Sequence, residues 1–164
     1  MRPRRIEPRP DQESVWDYPR PPRLEAVSAR LRVVLGGITI ADTTAGLRIC
    51  ETASPPTFYL PPGDIVPGVL RPTARSSFCE WKGQAAYFTV RSGPRREVDA
   101  AWCYPQPAAG YAALAGFVSF YAGRMDACCV GDEQVEPQPG DFYGGWVTSS
   151  VVGPFKGAAG TLGW

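Results

Sequence analysis

Hydrophobic and polar residues alternate over short segments of this chain, and turn residues separate the segments. The clearest example is LRVVLGGITIADT (31–43), in which two β-branched runs flank Gly36-Gly37 as in a β-hairpin. LRICET (47–52) and TFYL (57–60) have the same strand-forming composition, and two prolines lie between them. The pattern therefore predicts a chain made mainly of β-strands.

Further strands follow in the middle of the chain. QAAYFTVR (84–91) and EVDAAW (97–102) predict paired strands joined by a turn, and FVSFYAGRMDACCV (117–130) predicts a hairpin that turns near Ala122-Gly123. The segment from Pro61 to Ser77 is expected to be a long loop, and the alanine-rich stretch predicts one short helix near 108–116. With 18 Gly and 18 Pro, the chain is predicted to form antiparallel units closed as a barrel or as packed sheets.

A repeated motif indicates an internal duplication. WxYPxP occurs at 16–21 and again at 102–107, and a common order of Glu, Pro-rich bend, Phe-Tyr and aromatic-Lys-Gly occurs in both parts of the chain. We therefore predict one domain over 1–164, with a first unit at 30–107 and a second at 118–164. Residues 13–25 would complete the second unit across a pseudo-twofold axis, and the Arg/Pro-rich residues 1–12 would form a mobile lead. The alternative is that aromatic-proline pairs recur because tight turns favour them.

Charge and cysteine content exclude several classes of protein. The net charge of +1 argues against binding of nucleic acid or an anionic membrane by the chain as a whole. No apolar run is long enough to span a membrane and the N-terminus does not resemble a signal peptide, which favours a cytoplasmic protein. The five cysteines lack CxxC spacing, so we expect reduced thiols and no metal site.

Two lysines are the leading candidates for ligand contacts. Lys82 in CEWKG and Lys156 in GPFKG each precede a glycine, where a bare backbone would let an anionic ligand approach an ammonium group. Glu51 lies before a double proline and could accept a ligand hydroxyl or pair with Lys82. A solvated turn lysine and an edge carboxylate are the structural alternatives.

Aromatic residues could supply the remainder of a binding site. Trp102 and Tyr104 offer a stacking face with a hydroxyl group, and Tyr59 and Tyr143 occupy matching positions in the two units. Burial in the hydrophobic core is the alternative for all four. Cys79, three residues before Lys82, is expected to be a buried inert thiol, because the chain contains no histidine to form a dyad with it.

The segments SPPTFYLPPGDI, FCEWKGQAAYF, DAAWCYPQP and FYAGRMDA, in this order, resemble the DUF427 family. The resemblance is strongest over about 30–132, and it implies a small β fold with a pocket but no defined substrate. The family is also catalogued under a nucleotidyltransferase-like heading. Members often have His where this chain has Ser54, and a histidine-based mechanism is excluded here.

The function indicated by these residues is binding of a small anionic or planar ligand, with no cofactor. Two alternatives remain open at this point. The first is an enzyme in which Glu51 acts as a general base and Lys82 stabilises charge on a phosphate or carboxylate substrate. The nucleotidyltransferase heading supports it weakly, since no phosphate-binding loop or paired carboxylates are present. The second is a protein-interaction module that uses its Pro-rich segments.

Overall fold

The computed structural model describes residues 2–164, and these residues form a mainly β protein with 43% strand and 9% helical content. Fifteen short strands form two four-stranded sheets, one three-stranded sheet and two isolated strand pairs. The strands are β1 (Glu13–Ser14), β2 (Arg23–Ala26), β3 (Leu31–Leu35), β4 (Ile38–Thr43), β5 (Leu47–Cys50), β6 (Thr57–Tyr59), β7 (Leu70–Cys79), β8 (Gly83–Ser92), β9 (Arg95–Cys103), β10 (Val118–Phe120), β11 (Ala127–Val130), β12 (Glu133–Gln134), β13 (Glu136–Pro137), β14 (Trp146–Val147) and β15 (Val151–Val152).

The helical content consists of short 3-10 segments. They span Val15–Asp17, Pro62–Asp64, Ala109–Leu114 and Ala122–Arg124. The third segment is the helix predicted near 108–116, although a kink at Tyr111 keeps it from becoming a regular α-helix. No helix within residues 2–164 is long and apolar enough to cross a membrane.

The longest strands form an antiparallel sheet in the order β10-β9-β8-β7, which we call the long sheet. One of its faces packs against the second four-stranded sheet, ordered β12-β11-β3-β4, and encloses the main core. Phe58 and Trp146 stack within this core, with ring centroids 5.3 Å apart. The opposite face of the long sheet packs on the three-stranded sheet, ordered β2-β5-β6, through a second, largely aromatic cluster.

The β3–β4 and β8–β9 hairpins form as the sequence predicts, and a third predicted hairpin does not. β3 and β4 pair around Gly36-Gly37, and both glycines have positive φ angles, as a tight turn between strands requires. The predicted hairpin at 117–130 is wrong, because β10 pairs with β9 whereas β11 pairs with β3. The 3-10 turn Ala122–Arg124 between them carries the chain from one four-stranded sheet to the other.

One further expectation needs correction. Residues 70–77 belong to β7 and pair with β8, so the loop predicted from Pro61 to Ser77 ends at Val69. Of the two predicted arrangements, packed sheets and not a closed barrel form within residues 2–164. Alternation is weak in β7 because it is an edge strand with a bulge between Pro72 and Ser76, which explains why the pattern did not reveal it.

The N-terminal segment pairs with strands from both predicted units. β1 pairs in parallel with β15, and β2 pairs with β5. Val15 is fully buried, and the Trp16 indole donates a hydrogen bond to the Pro154 carbonyl. Residues 13–25 therefore contact both predicted units, although the duplication itself remains a prediction. The predicted units also share sheets, since β11 joins β3.

Candidate functional site

A cavity of about 410 Å³ lies beside the aromatic face of the long sheet. Its floor comes from β8 and β9, and the turn that joins β7 to β8 forms one rim. All seven residues predicted from the sequence to contact a ligand line this one cavity: Glu51, Tyr59, Lys82, Trp102, Tyr104, Tyr143 and Lys156. The structure thus brings together side chains that lie more than 100 positions apart.

The backbone of Lys82 is held by the residue that follows the second WxYPxP motif. Its carbonyl accepts a hydrogen bond from the Ala108 amide at 2.9 Å, and Gly83 adopts a φ angle of +107°. A Cβ atom at Gly83 would lie 3.5 Å from the Gln106 carbonyl oxygen. Gly83 therefore packs against the backbone of residues 106–108. The expectation that Gly83 would let a ligand approach is not met in this cavity, because Gly83 does not line it.

Lys156 is held in a similar way on the other side of the cavity. Its amide donates to the Ala53 carbonyl at 2.7 Å, and its own carbonyl accepts a hydrogen bond from the Gln138 side chain at 2.7 Å. Gly157 has a φ angle of +140°, and a Cβ atom there would lie 1.8 Å from the Pro139 carbonyl oxygen. Both Lys-Gly pairs are therefore packed against a Pro-containing backbone.

Each ammonium group lies over the face of a tyrosine ring. The Lys82 Nζ is 5.6 Å from the Tyr104 ring centroid, and the Lys156 Nζ is 5.0 Å from that of Tyr143. These distances are within the range of cation-π attraction. Neither lysine forms an ion pair with a carboxylate within residues 2–164. Lys82 as a whole is only 9% exposed, so most of its side chain is packed against the wall of the cavity.

Glu51 forms an ion pair with Arg20 and not with Lys82. Its carboxylate pairs with Arg20 at 3.1 Å, and Arg20 also donates hydrogen bonds to the carbonyls of Thr52 and Trp164. Arg20 belongs to the first WxYPxP motif, so this motif fixes Glu51 at one edge of the cavity. The proposed pairing of Glu51 with Lys82 is wrong, and the ammonium group of Lys82 stays available.

The aromatic wall is rigid and uncharged. The Tyr59 ring lies edge-on to Trp102 with centroids 6.4 Å apart, and Trp102 packs on Tyr121 at 4.7 Å. Burial raises the pKa of Tyr59 well above its usual range, and burial also raises the pKa of Tyr104. The phenols therefore remain protonated at neutral pH, and their hydroxyl groups can donate hydrogen bonds to a ligand.

Several lining residues were not predicted from the sequence. They include Ser54, Trp81, Tyr87, Tyr121, Gln138 and Phe142. Tyr87 reaches the cavity because it pairs with Trp102 across the sheet, and Tyr121 follows β10 and packs on the Trp102 ring, which no local pattern reveals. Ser54 occupies the position at which the resemblance leads one to expect histidine. Gly144 packs directly on the Trp102 ring, where a Cβ atom would come within 2.0 Å of the indole.

The cavity carries few other reactive groups. Its charged lining residues are the two lysines with Glu51 and Glu80, and Cys79 is a free half-buried thiol on the rim. No group of three Cys, Asp or Glu side chains that could hold a metal ion occurs in the described part of the chain. The arrangement is suited to holding an anion beside a planar group.

Comparison with known proteins gives the family and no activity. No curated protein matches the chain. A family model described as a domain of unknown function (DUF427) matches residues 23–131, a region that contains Glu51, Tyr59, Lys82, Trp102 and Tyr104. Tyr143 and Lys156 lie outside the matched region and complete the cavity from the C-terminal part. The match covers well over half of the chain, and the protein therefore belongs to the DUF427 family.

Proposed function

We propose that this protein binds a small anionic ligand with a planar group in the cavity between Lys82 and Lys156. The observation that supports the proposal is the distribution of lysine. The chain contains two lysines, and both line the same cavity without a carboxylate partner. An ammonium group that has no carboxylate partner can pair with an anionic ligand without first breaking an ion pair of the protein, so an anion would be bound favourably there.

The walls of the cavity define what the rest of the ligand would resemble. Trp102, Tyr104 and Tyr143 present aromatic surfaces to the cavity, and Tyr104, whose pKa is raised by burial, offers a neutral hydroxyl donor. A flat ring would pack against these surfaces while its phosphate or carboxylate met a lysine. A volume of about 410 Å³ falls in the range of small-molecule sites.

Binding accounts for the site better than catalysis does. A general base must be free to take a proton, but the Glu51 carboxylate is engaged by Arg20. The buried tyrosines have raised pKa values and are protonated, so they are not bases either. The protein-interaction alternative does not explain why two unpaired ammonium groups face an enclosed aromatic cavity.

We also propose that the protein acts in the cytoplasm. The five cysteines are all free, and Cys50, Cys103 and Cys128 are buried. Free thiols persist in a reducing compartment, whereas an oxidising one favours disulfides. The proposal would be overturned if cell fractionation recovered the protein outside the cytoplasm.

Thermal-shift screening tests the proposed function. Nucleotides, sugar phosphates and aromatic carboxylates would be compared with their uncharged analogues. A ligand at 100 times its Kd stabilises the folded state by about 2.7 kcal/mol, which raises the melting temperature measurably. We expect stabilisation by planar anions and none by the uncharged analogues. Failure of every planar anion to shift the melting temperature would contradict the proposal.

A further inference from the structure

The arginines of this protein divide into two groups. Eight form ion pairs with carboxylates. Among the arginines without an ion pair in the described chain, four lie on the long sheet: Arg71, Arg75, Arg91 and Arg96. All four are exposed. Pairing is the rule elsewhere in the fold, so this group calls for an explanation.

Strand register places these arginines on one face of the long sheet. Arg91 lies directly opposite Arg96, and Arg71 lies opposite Thr89. Val90, between Thr89 and Arg91 on β8, points into the main core. Side chains alternate along a strand, so the residues on either side of Val90 point away from that core. The arginines therefore share the face that forms the cavity floor.

Tyr87 and Arg75 connect the arginines to the cavity. Tyr87 lies two residues before Thr89 on β8, on the same face of the strand, and it lines the cavity. The Arg75 guanidinium lies over the Tyr87 ring, 4.5 Å from its centroid. Arg91 lies four positions after Tyr87, a distance of about 13 Å along an extended strand. Asp99, which accepts a hydrogen bond from Thr73, is a carboxylate on the same stretch. One carboxylate does not offset four arginines, and the net charge of the stretch remains positive.

Two exposed aromatic rings line the cavity. Phe78 is 78% exposed and Phe142 is 50% exposed. They are the aromatic side chains in residues 2–164 that are classed as exposed, whereas the other rings are buried or half-buried. Exposed rings at the mouth of a cavity are suited to stacking against a planar ligand.

We propose that this arginine face binds the phosphates of a single-stranded nucleic acid, and that the terminal nucleotide of that strand enters the cavity. Single-stranded nucleic acids are held by basic surfaces that follow the backbone and by aromatic rings that stack on the bases. The arginine face supplies the first element, and Phe78 and Phe142 in the cavity wall supply the second. The placement of the terminal nucleotide rests on the proposed function of the cavity.

The chemistry of the surface favours a nucleic acid over other polyanions. A sulfated polysaccharide would meet the arginines but has no flat base to stack on Phe78 or Phe142. The net charge of +1 argued against nucleic acid for the chain as a whole. That argument averages over the molecule, because eight arginines are neutralised by carboxylates while the arginine face keeps its charge.

Fluorescence anisotropy of a labelled oligothymidylate of about ten nucleotides would test this inference. The test variant is R91A/R96A, which removes two exposed guanidinium groups far from the cavity. The matched control is R2A/R4A, which removes two exposed charges of the N-terminal segment. We expect R91A/R96A to weaken binding on the order of tenfold and to reduce the slope of log K against log salt by about 2. The control should stay within about twofold of the wild type.

The identity of the polyanion is tested with the Phe142→Ala variant. Its binding of oligothymidylate is compared with its binding of heparin and of vesicles made of phosphatidylserine and phosphatidylcholine. The variant should weaken oligothymidylate binding and leave heparin binding unchanged, because only a base stacks on the ring. Unchanged oligonucleotide binding in R91A/R96A would overturn the inference. Equal or tighter binding of heparin or of the vesicles, unaffected by Phe142→Ala, would overturn it as well.

Binding of thymidine monophosphate distinguishes a failure of this inference from a failure of the proposed function. We expect the K82M/K156M variant to lose binding of the mononucleotide, and R91A/R96A to retain it. If the mononucleotide binds through the lysines but the oligonucleotide binds no tighter, the proposed function stands and the inference is wrong. If the oligonucleotide binds through the arginines but no planar anion enters the cavity, the proposed function and the placement of the terminal nucleotide fail.

Discussion

At the level of single residues, lysine and arginine have different uses in this protein. Arginine forms the ion pairs of the described residues, including the Arg48–Glu25 pair that fastens β5 to β2. The two lysines instead place a compact ammonium group over a tyrosine ring at the cavity. Arginine would offer a wider fork with five donors, whereas lysine offers a point charge. Lysine therefore suits a confined site in which one anionic oxygen must be met.

The first prediction concerns the ammonium group of Lys82. Lys82→Ala should weaken binding of a planar anion by about 1 to 3 kcal/mol, the range for loss of a charged hydrogen-bond donor. Lys156→Ala should cost less, because Lys156 is more exposed than Lys82. Calorimetric titration measures both values, and Arg91→Ala is the control for loss of one positive charge outside the cavity. An equal loss in the Arg91 control would point to a general charge effect.

Lys82→Met separates charge from packing. Methionine keeps most of the apolar stem that the cavity wall contacts, but it removes the ammonium group. We expect the same loss of ligand binding as in Lys82→Ala and a melting temperature no lower than that of the wild type, since no buried ion pair is broken. Retained binding in Lys82→Met would show that the stem, and not the charge, supports the site.

The cysteines give a second prediction at this scale. Burial raises the pKa of Cys50 to about 11 and also raises the pKa of Cys103 and Cys128. At pH 8 these three thiols should react slowly with an aromatic disulfide reagent, whereas half-buried Cys79 and Cys129 react first. A cavity ligand should protect Cys79 alone. Denatured protein should titrate with five thiols, and fewer than four would contradict the account.

At the level of elements, local pattern predicted strands better than it predicted their partners. The β3–β4 hairpin and the β8–β9 pair were predicted because turn residues join the two arms directly. The segments 118–120 and 127–130 were identified as strands, but their partners β9 and β3 lie elsewhere in the chain. Long-range pairing depends on packing between sheets, which sequence periodicity does not encode.

The same limit applies to the candidate site. The seven predicted residues were found through repeated motifs, in which aromatic, proline and Lys-Gly positions recur. Tyr87 and Tyr121 were missed because Tyr87 enters the cavity through its register with Trp102 and Tyr121 by packing on the Trp102 ring. Arg20 was missed as the partner of Glu51 because the two lie 31 residues apart.

The N-terminal strands provide a prediction at the element scale. Removing residues 1–29 deletes β1 and β2 together with Val15 and Tyr18, and it exposes Cys50 and Val151, the remaining members of that buried cluster. The truncated chain should melt at a clearly lower temperature, because exposing buried side chains loses hydrophobic stabilisation. Removing only residues 1–4 is the control and should change the melting temperature little. An unchanged melting temperature after the longer deletion would refute the role of this segment.

The pairing of β2 with β5 also predicts a pH dependence. Burial raises the pKa of Glu25, but the hydrogen bond and charge of Arg48, with Arg23, outweigh it and lower the pKa below its ordinary value of 4.5. The folded state thus binds this proton less readily than the unfolded chain does. Its contribution to stability is complete above about pH 4.5 and is lost as the pH falls through the lowered pKa.

Glu25→Gln should therefore lower the melting temperature at pH 7 and have a smaller effect near pH 3. Thermal unfolding followed by circular dichroism at several pH values measures this difference. Glu7→Gln, at an exposed residue without an ion pair in the described chain, is the matched control. A constant difference between Glu25→Gln and the wild type from pH 7 to pH 3 would contradict the assignment.

At the level of the whole molecule, the fold unites groups from distant parts of the chain around one site. The central region contributes Lys82 and the aromatic floor, the C-terminal part contributes Tyr143 and Lys156, and the N-terminal motif fixes Glu51 through Arg20. The predicted duplication would account for two Lys-Gly pairs with matching surroundings. Because both ammonium groups face one cavity, a single ligand should report on both.

The presence of only two lysines permits a direct measurement of this central claim. Reductive methylation with ¹³C-formaldehyde would give one dimethyl-lysine signal for Lys82 and one for Lys156 in a carbon-proton correlation spectrum, assigned with K82M and K156M. During titration with planar anions and inorganic phosphate, both signals should shift together with the same Kd. If neither signal shifts with any of these anions, or if the signals titrate independently, the lysines do not share a binding site.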